Sequence, residues 1–159
     1  MAEKLAVSPL APPDPAPPLA VRGVRCASAA AGIRYVGRPD LLLVELVAAT
    51  QVAGVLTRSA TPGHPVAWCR KALPHGRARA LVVNSGNANV CRGAEGDAAV
   101  AREVAAMVDL LGCAAEEVLI ASTGVIGERL AVERIEAALP ALKAELSAEP
   151  AAVEAAART

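Results

Sequence analysis

Phenylalanine is absent from this 159-residue sequence, and tryptophan and tyrosine occur once each, as Trp68 and Tyr35. A core built without aromatic rings must be filled by small and branched aliphatic side chains, here led by 38 alanines. At about 25 cal/mol per Å2 of apolar area removed from water, such side chains drive folding weakly. A chain of this composition is expected to complete itself against a partner or a further segment. An excess of charge is lacking too: sixteen Lys and Arg balance sixteen Asp and Glu. That excludes the basic footprint of a nucleic-acid binder or an anionic-membrane binder. No apolar run approaches the roughly 18 residues of a membrane span. Nor does the N-terminus carry a long apolar segment ending in a cleavage site. Secretion is not expected, and the chain reads as cytoplasmic.

Metal-ligand spacing is missing as well. The four cysteines, Cys26, Cys69, Cys91 and Cys113, lie 43, 22 and 22 residues apart, with no CxxC and no histidine at ligand distance. Neither a zinc site nor a resident cofactor is expected. Without a secretory signal the thiols should stay reduced, each reading as a small buried apolar residue. His64 and His75 flank turns rich in Pro and Gly and read as surface residues.

What is present has a clear order. The length favours a single domain. Residues 1–20 hold six of the twelve prolines and read as an extended, mobile Pro/Ala-rich tail. The globular part then spans residues 21–159. It opens with short extended pieces and turns around Gly23, Gly32 and Gly37. Leu41 to Val47 is a compact apolar run with the length of a buried strand, and Val52 to Thr57 reads as a second strand paired antiparallel to it. Val66, Cys69 and Leu73 mark a short helix opened by Pro65. Arg79 to Asn84 and Glu117 to Ala121 are further strands. Between them, Val100, Val104, Met107, Val108 and Leu111 predict a helix over 96–111, with Asp97 near its start and Gly112 at its end. Val132, Ile135 and Leu139 predict another, which Pro140 should break or restart. Helical character continues through Leu142, Leu146 and the Ala-rich end. The alternation gives an α/β class.

Two segments that follow strands carry the candidate chemistry. Asn84-Ser85-Gly86-Asn87-Ala88-Asn89 offers amides and a hydroxyl where α/β proteins place ligands; its bland reading is a turn whose Asn side chains bond backbone. It matches neither a Walker loop nor GxGxxG. Ser122-Thr123-Gly124-Val125-Ile126-Gly127 sets a Thr hydroxyl beside an unhindered Gly N–H. Two such donors can converge on one oxygen, as a developing oxyanion requires. The bland reading is a Gly-containing connection capping the next helix. No nucleophile and base can be paired by spacing. Glu116, Glu117, Glu133 and Glu136 read as solvated helix charges.

Taken together, the segments carry more than each does alone. Gly32-Ile33, Gly37-Arg38-Pro39-Asp40-Leu41, Ala80-Leu81-Val82 leading into VNSGNAN (Val83–Asn89), and STGVIG (Ser122–Gly127) occur in one order. They resemble the N-terminal (α) part of the ornithine acetyltransferase family, the bifunctional glutamate N-acetyltransferases of arginine biosynthesis. The resemblance covers roughly Val21 to Thr159. It implies a mixed β-sheet flanked by helices, similar to the fold of certain N-terminal-nucleophile aminopeptidases. It also implies a precursor that cleaves itself before a threonine, which then carries acetyl from acetylornithine to glutamate. Thr123 and Gly124 match the family's oxyanion-stabilising pair, and no other functional residue is carried over.

The sequence departs from the family pattern at its end. It stops where the family continues into a Met-Thr-Thr-Asp-Thr stretch and, further on, the cleavage junction with its nucleophilic Thr. Leu56 stands where relatives usually place Phe. The expectation is an N-terminal piece that needs a β portion as partner in a hetero-oligomer and is inactive alone. The alternatives are a non-catalytic orphan fragment and a small-molecule binding domain using the Asn-rich loop. Whether acetyl-CoA is also a donor is left open by these residues.

Overall fold

The structure is a computed structural model that describes residues 8–10 and 18–159. Much of the Pro/Ala-rich stretch read as a mobile tail lies outside those residues. Four strands form one sheet in the order β1 (Val24–Ala29), β2 (Leu41–Leu46), β3 (Ala80–Asn87) and β4 (Val118–Val125). The first two pairings are antiparallel and β3–β4 is parallel, so the sheet is mixed. Parallel pairing requires a long crossover, and α2 (Gly93–Leu111) supplies it. Helix α1 (His64–Ala72) precedes β3, while α3 (Val132–Ala144) and α4 (Pro150–Ala157) follow β4. The expected α/β class with a mixed sheet and flanking helices is the one observed.

The strands alternate as a sheet covered on one side should. Leu41, Leu43, Ala80, Val82, Val118 and Ile120 are buried in a single cluster with Val100, Val104 and Met107 of α2 and Ile135, Leu139 and Leu142 of α3. Their neighbours on the opposite face, Leu42, Val44, Leu81, Val83, Leu119 and Ala121, are equally apolar yet only half-buried. A solvated sheet face would carry polar side chains there. This second face is apolar and open.

Several expectations need correction. Val52 to Thr57 forms no strand, because both edges of β2 are already taken by β1 and β3. The segment is tied instead through a Gln51–Arg77 bridge and a Val52 N–H bond to Gly76 O. The opening turns contain a regular strand, β1. Its connection to β2 is closed by buried Asp40, whose carboxylate accepts the N–H groups of Ala31 (2.7 Å), Gly32 (3.3 Å) and Ile33 (2.6 Å). That gives the Gly-Arg-Pro-Asp segment a structural role. Helix α3 runs through Pro140 to Ala144, since the proline lies on the exposed side and costs one backbone bond. Cys26 and Cys69 are buried, as small apolar residues should be, but Cys91 is exposed and Cys113 half-buried. All four are free thiols.

The one tryptophan serves an edge. Strand β4 ends the sheet, and its outward carbonyls meet α1: Trp68 Nε1–H donates to Val118 O (2.8 Å) and Cys69 Sγ to Ile120 O (3.3 Å). Among the described residues no helix is long and apolar enough to cross a membrane.

Candidate functional site at the ends of two parallel strands

The two segments read as loops are in fact the last turns of the β-ladder. Asn84, Ser85, Gly86 and Asn87 of β3 pair in register with Ser122, Thr123, Gly124 and Val125 of β4. The backbones approach so closely that both glycines of the Gly86–Gly124 rung are required. A Cβ on Gly124 (φ +135°) would sit 2.3 Å from the Gly86 carbonyl carbon and 2.5 Å from Asn87 N. One on Gly86 (φ +96°) would meet Arg34 Cβ at 2.9 Å, with the Tyr35 ring just behind.

Alternation decides which way the hydroxyls face. Ser85 and Thr123 continue the rows of Leu81, Val83 and of Leu119, Ala121, so they stand at the polar end of the open apolar face. Thr123 and Gly124 are exposed there. Asn84 and Ser122 point to the helix-covered side.

The Asn-rich segment is occupied internally. Asn84 Nδ2 donates to Asn87 O (2.9 Å), and Asn87 Nδ2 holds the carbonyls of Glu128 and Arg129 (3.1 Å each). Asn89 Nδ2 donates to Gly96 O (3.0 Å) at the start of α2. Backbone bonds from Ala88 N to Val125 O and from Gly127 N to Val90 O finish the tie. The amides thus fix the segment that follows Thr123 rather than facing solvent. Asn84, Asn87 and Asn89 are all buried.

His64 was expected at the surface. Its side chain is 14% exposed and wedged against Gly96, with Nδ1 2.7 Å from Asp97 Oδ1 and Nε2 accepting the Arg92 N–H at 3.3 Å. Both ring nitrogens are therefore engaged in pinning α1 to α2. Asp97, expected near the start of the helix, lies a turn inside α2, which begins at Gly93. His75 is exposed, as expected. Of the charges read as solvated, Glu133 pairs with Arg129, Glu136 with Arg102, and Glu117 accepts the Ala114 N–H.

Beside the site, Arg34 pairs with Glu128, and the Arg38 guanidinium lies 4.0 Å from the centroid of the Tyr35 ring. An apolar groove of about 430 Å3 runs along the open face between α1 and the 52–56 segment, lined by Leu56, Val66, Cys69, Leu73, Leu81 and Leu119 among others. Sequence reading also missed Glu103. It is fully buried on α2 with neither carboxylate oxygen bonded, and burial, aided by the charge of Glu136, pushes its pKa up to about 8. Its only sequence signal is a carboxylate inside the Val100–Val104–Met107 stripe.

Chemically, the site offers the exposed Thr123 hydroxyl beside the exposed Gly124 backbone. The model of the ArgJ family matches residues 25–159. The chain belongs to the ArgJ family. Among curated proteins, the arginine biosynthesis bifunctional protein ArgJ of Gluconobacter oxydans is 54% identical over 147 residues, which cover 92% of this chain and 34% of that protein. The ArgJ protein of Brucella suis is 52% identical over 125 residues, covering 78% of this chain and 30% of that one. The chain therefore spans about a third of the length of these ArgJ relatives. Solved structures are similar as well. The ornithine acetyltransferase of Mycobacterium tuberculosis, complexed with ornithine, superposes with a TM-score of 0.78 at 36% identity, covering 86% of this chain and 74% of that one. The ArgJ protein of Bacillus halodurans gives 0.80 at 25% identity, with 86% and 71% covered.

Proposed function

We propose that this chain is the N-terminal, oxyanion-stabilising part of an ornithine acetyltransferase of arginine biosynthesis. In this reading the assembled enzyme moves acetyl from N2-acetylornithine to glutamate, giving ornithine and N-acetylglutamate. Acetyl transfer through an acyl-enzyme needs a nucleophile activated by a base. The nucleophile is a threonine freed by self-cleavage in the β portion, which associates with this chain as a hetero-oligomer. Thr123 contributes its hydroxyl, and Gly124 its N–H, to the oxyanion of the tetrahedral intermediate. Both donors act most strongly where charge develops, so they favour the transition state over bound substrate.

The observation that carries the reading is where the Thr-Gly pair stands. It is exposed at the polar end of an apolar sheet face that, among the described residues, is only half-buried and carries an open groove, in a chain a third the length of its relatives. A second segment laid on that face would bring its reacting group against Thr123. The Asn84–Asn89 segment gives the small-molecule-domain alternative little to work with, since the side-chain N–H groups of Asn84, Asn87 and Asn89 are committed to backbone carbonyls and all three side chains are buried.

The test is acetyl exchange between radiolabelled acetylornithine and glutamate, using this chain with and without the separately produced remaining two thirds of the Gluconobacter relative. Turnover is expected only on mixing. Thr123→Ala should lower kcat by about 10² to 10³ with KM nearly unchanged. Turnover by this chain alone, or full turnover by the assembled variant, overturns the reading. Supplying acetyl-CoA in place of acetylornithine shows in the same assay whether it is also a donor.

A further inference from the structure

The β3–β4 ladder leaves two buried hydroxyls unpaired, Ser85 and Ser122, and only Ser85 shares a face with Thr123. Ser85 is 8% exposed, and its Oγ has no hydrogen-bond partner among the described residues. A buried hydroxyl left unpaired costs stability, so native chains rarely keep one without a use. Its backbone is fixed, since Ser85 N–H donates to Asp40 O (2.9 Å). Ser85 and Thr123 are register partners on the parallel β3–β4 ladder, and their side chains leave the sheet on the same face. Adjacent strands lie about 4.8 Å apart, which brings a Ser Oγ and a Thr Oγ1 within reach of each other by a single χ1 rotation.

We propose that Ser85 is a positioning residue for Thr123: its hydroxyl donates to Thr123 Oγ1, fixes the threonine rotamer and leaves the threonine proton to point outward at the substrate oxygen. The inference rests on the oxyanion reading of Thr123. The inventory of groups leaves few alternatives. A hydroxyl has one proton and two lone pairs, so Thr123 can accept from Ser85 and donate to substrate at once. Thr is β-branched and stiff at χ1, so one added bond is enough to select a single well. Ser122 Oγ, also unpaired, stands in register with Asn84, on the helix-covered side. It cannot do the same for Thr123 and serves as the control.

Two measurements test this. In the 159-residue chain, three-bond couplings to the Thr123 methyl report its χ1 directly. One rotamer is expected in the wild type and in Ser122→Ala, with averaging in Ser85→Ala and a single rotamer again in Ser85→Thr. An unchanged Thr123 rotamer in Ser85→Ala overturns the proposal. In the assembled enzyme, Ser85→Ala should lower kcat about tenfold at constant KM, and should add nothing to Thr123→Ala in the double variant. If Thr123→Ala is harmful but Ser85→Ala is silent, the positioning role fails and the oxyanion reading stands. If Thr123→Ala itself is silent, the oxyanion reading fails first.

Discussion

A carboxyl group in an apolar stripe is a titration built into the fold. Glu103 is buried among the residues that hold α2 to the sheet, and burial raises its pKa from 4.5 to about 8. The folded chain keeps the proton, whereas the unfolded chain gives it up above the ordinary carboxylate range. Between those two values the unfolded state binds fewer protons, so stability falls as pH rises, by at most about 1.4 kcal/mol per pH unit. Below the lower value and above the upper one the contribution is flat. Glu103→Gln keeps the shape and removes the titration. Urea midpoints should therefore match wild type near pH 4 and exceed it increasingly up to pH 8. A variant whose midpoint tracks the wild type across that range would show that Glu103 is not the group responsible.

At the scale of elements, the sheet's free edge is closed by side chains of a helix. Trp68→Phe retains the apolar ring and deletes the N–H that Val118 O accepts, leaving a carbonyl on a fully buried residue unpaired. Stability should fall by about 1–3 kcal/mol. Circular dichroism must follow the unfolding, because the variant contains no tryptophan; an unchanged midpoint would mean that water replaces the bond. This contact was invisible in sequence. The i, i+3, i+7 spacing of Val66, Cys69 and Leu73 announced the helix but not that its Trp and Cys face an edge 50 residues away. Strands β2, β3 and β4 and helix α2 were legible, since apolar period alone sets them. Strand β1 was hidden by flanking glycines, and Val52–Thr57 misled because strand propensity does not know which edges are occupied. The Thr-Gly pair was legible as a motif. That it ends a strand, in register with Ser85-Gly86, followed only from the pairing.

Among the described residues the governing fact is one sheet with two apolar faces, one filled by helices and the other left with an open groove beside α1. The buried face is filled by α2 and α3, while Leu81, between Val44 and Leu119 in register, marks the middle of the other. A Lys at that position stays solvated in the isolated chain but would be sealed from water once a second segment covers the face, at a cost of several kcal/mol. Leu81→Lys should therefore separate two behaviours. In isolation it should keep the wild-type circular dichroism and reduce concentration-dependent association in sedimentation, because an apolar patch has been broken. Mixed with the remaining two thirds of the Gluconobacter relative, it should bind at least about a hundredfold more weakly than wild type and yield no acetyl exchange. Substitution of Arg158, exposed just past the end of α4 and paired with Glu154 of that helix, should leave both properties unchanged. If Leu81→Lys still assembles and turns over, the open face is not the one the rest of the enzyme covers.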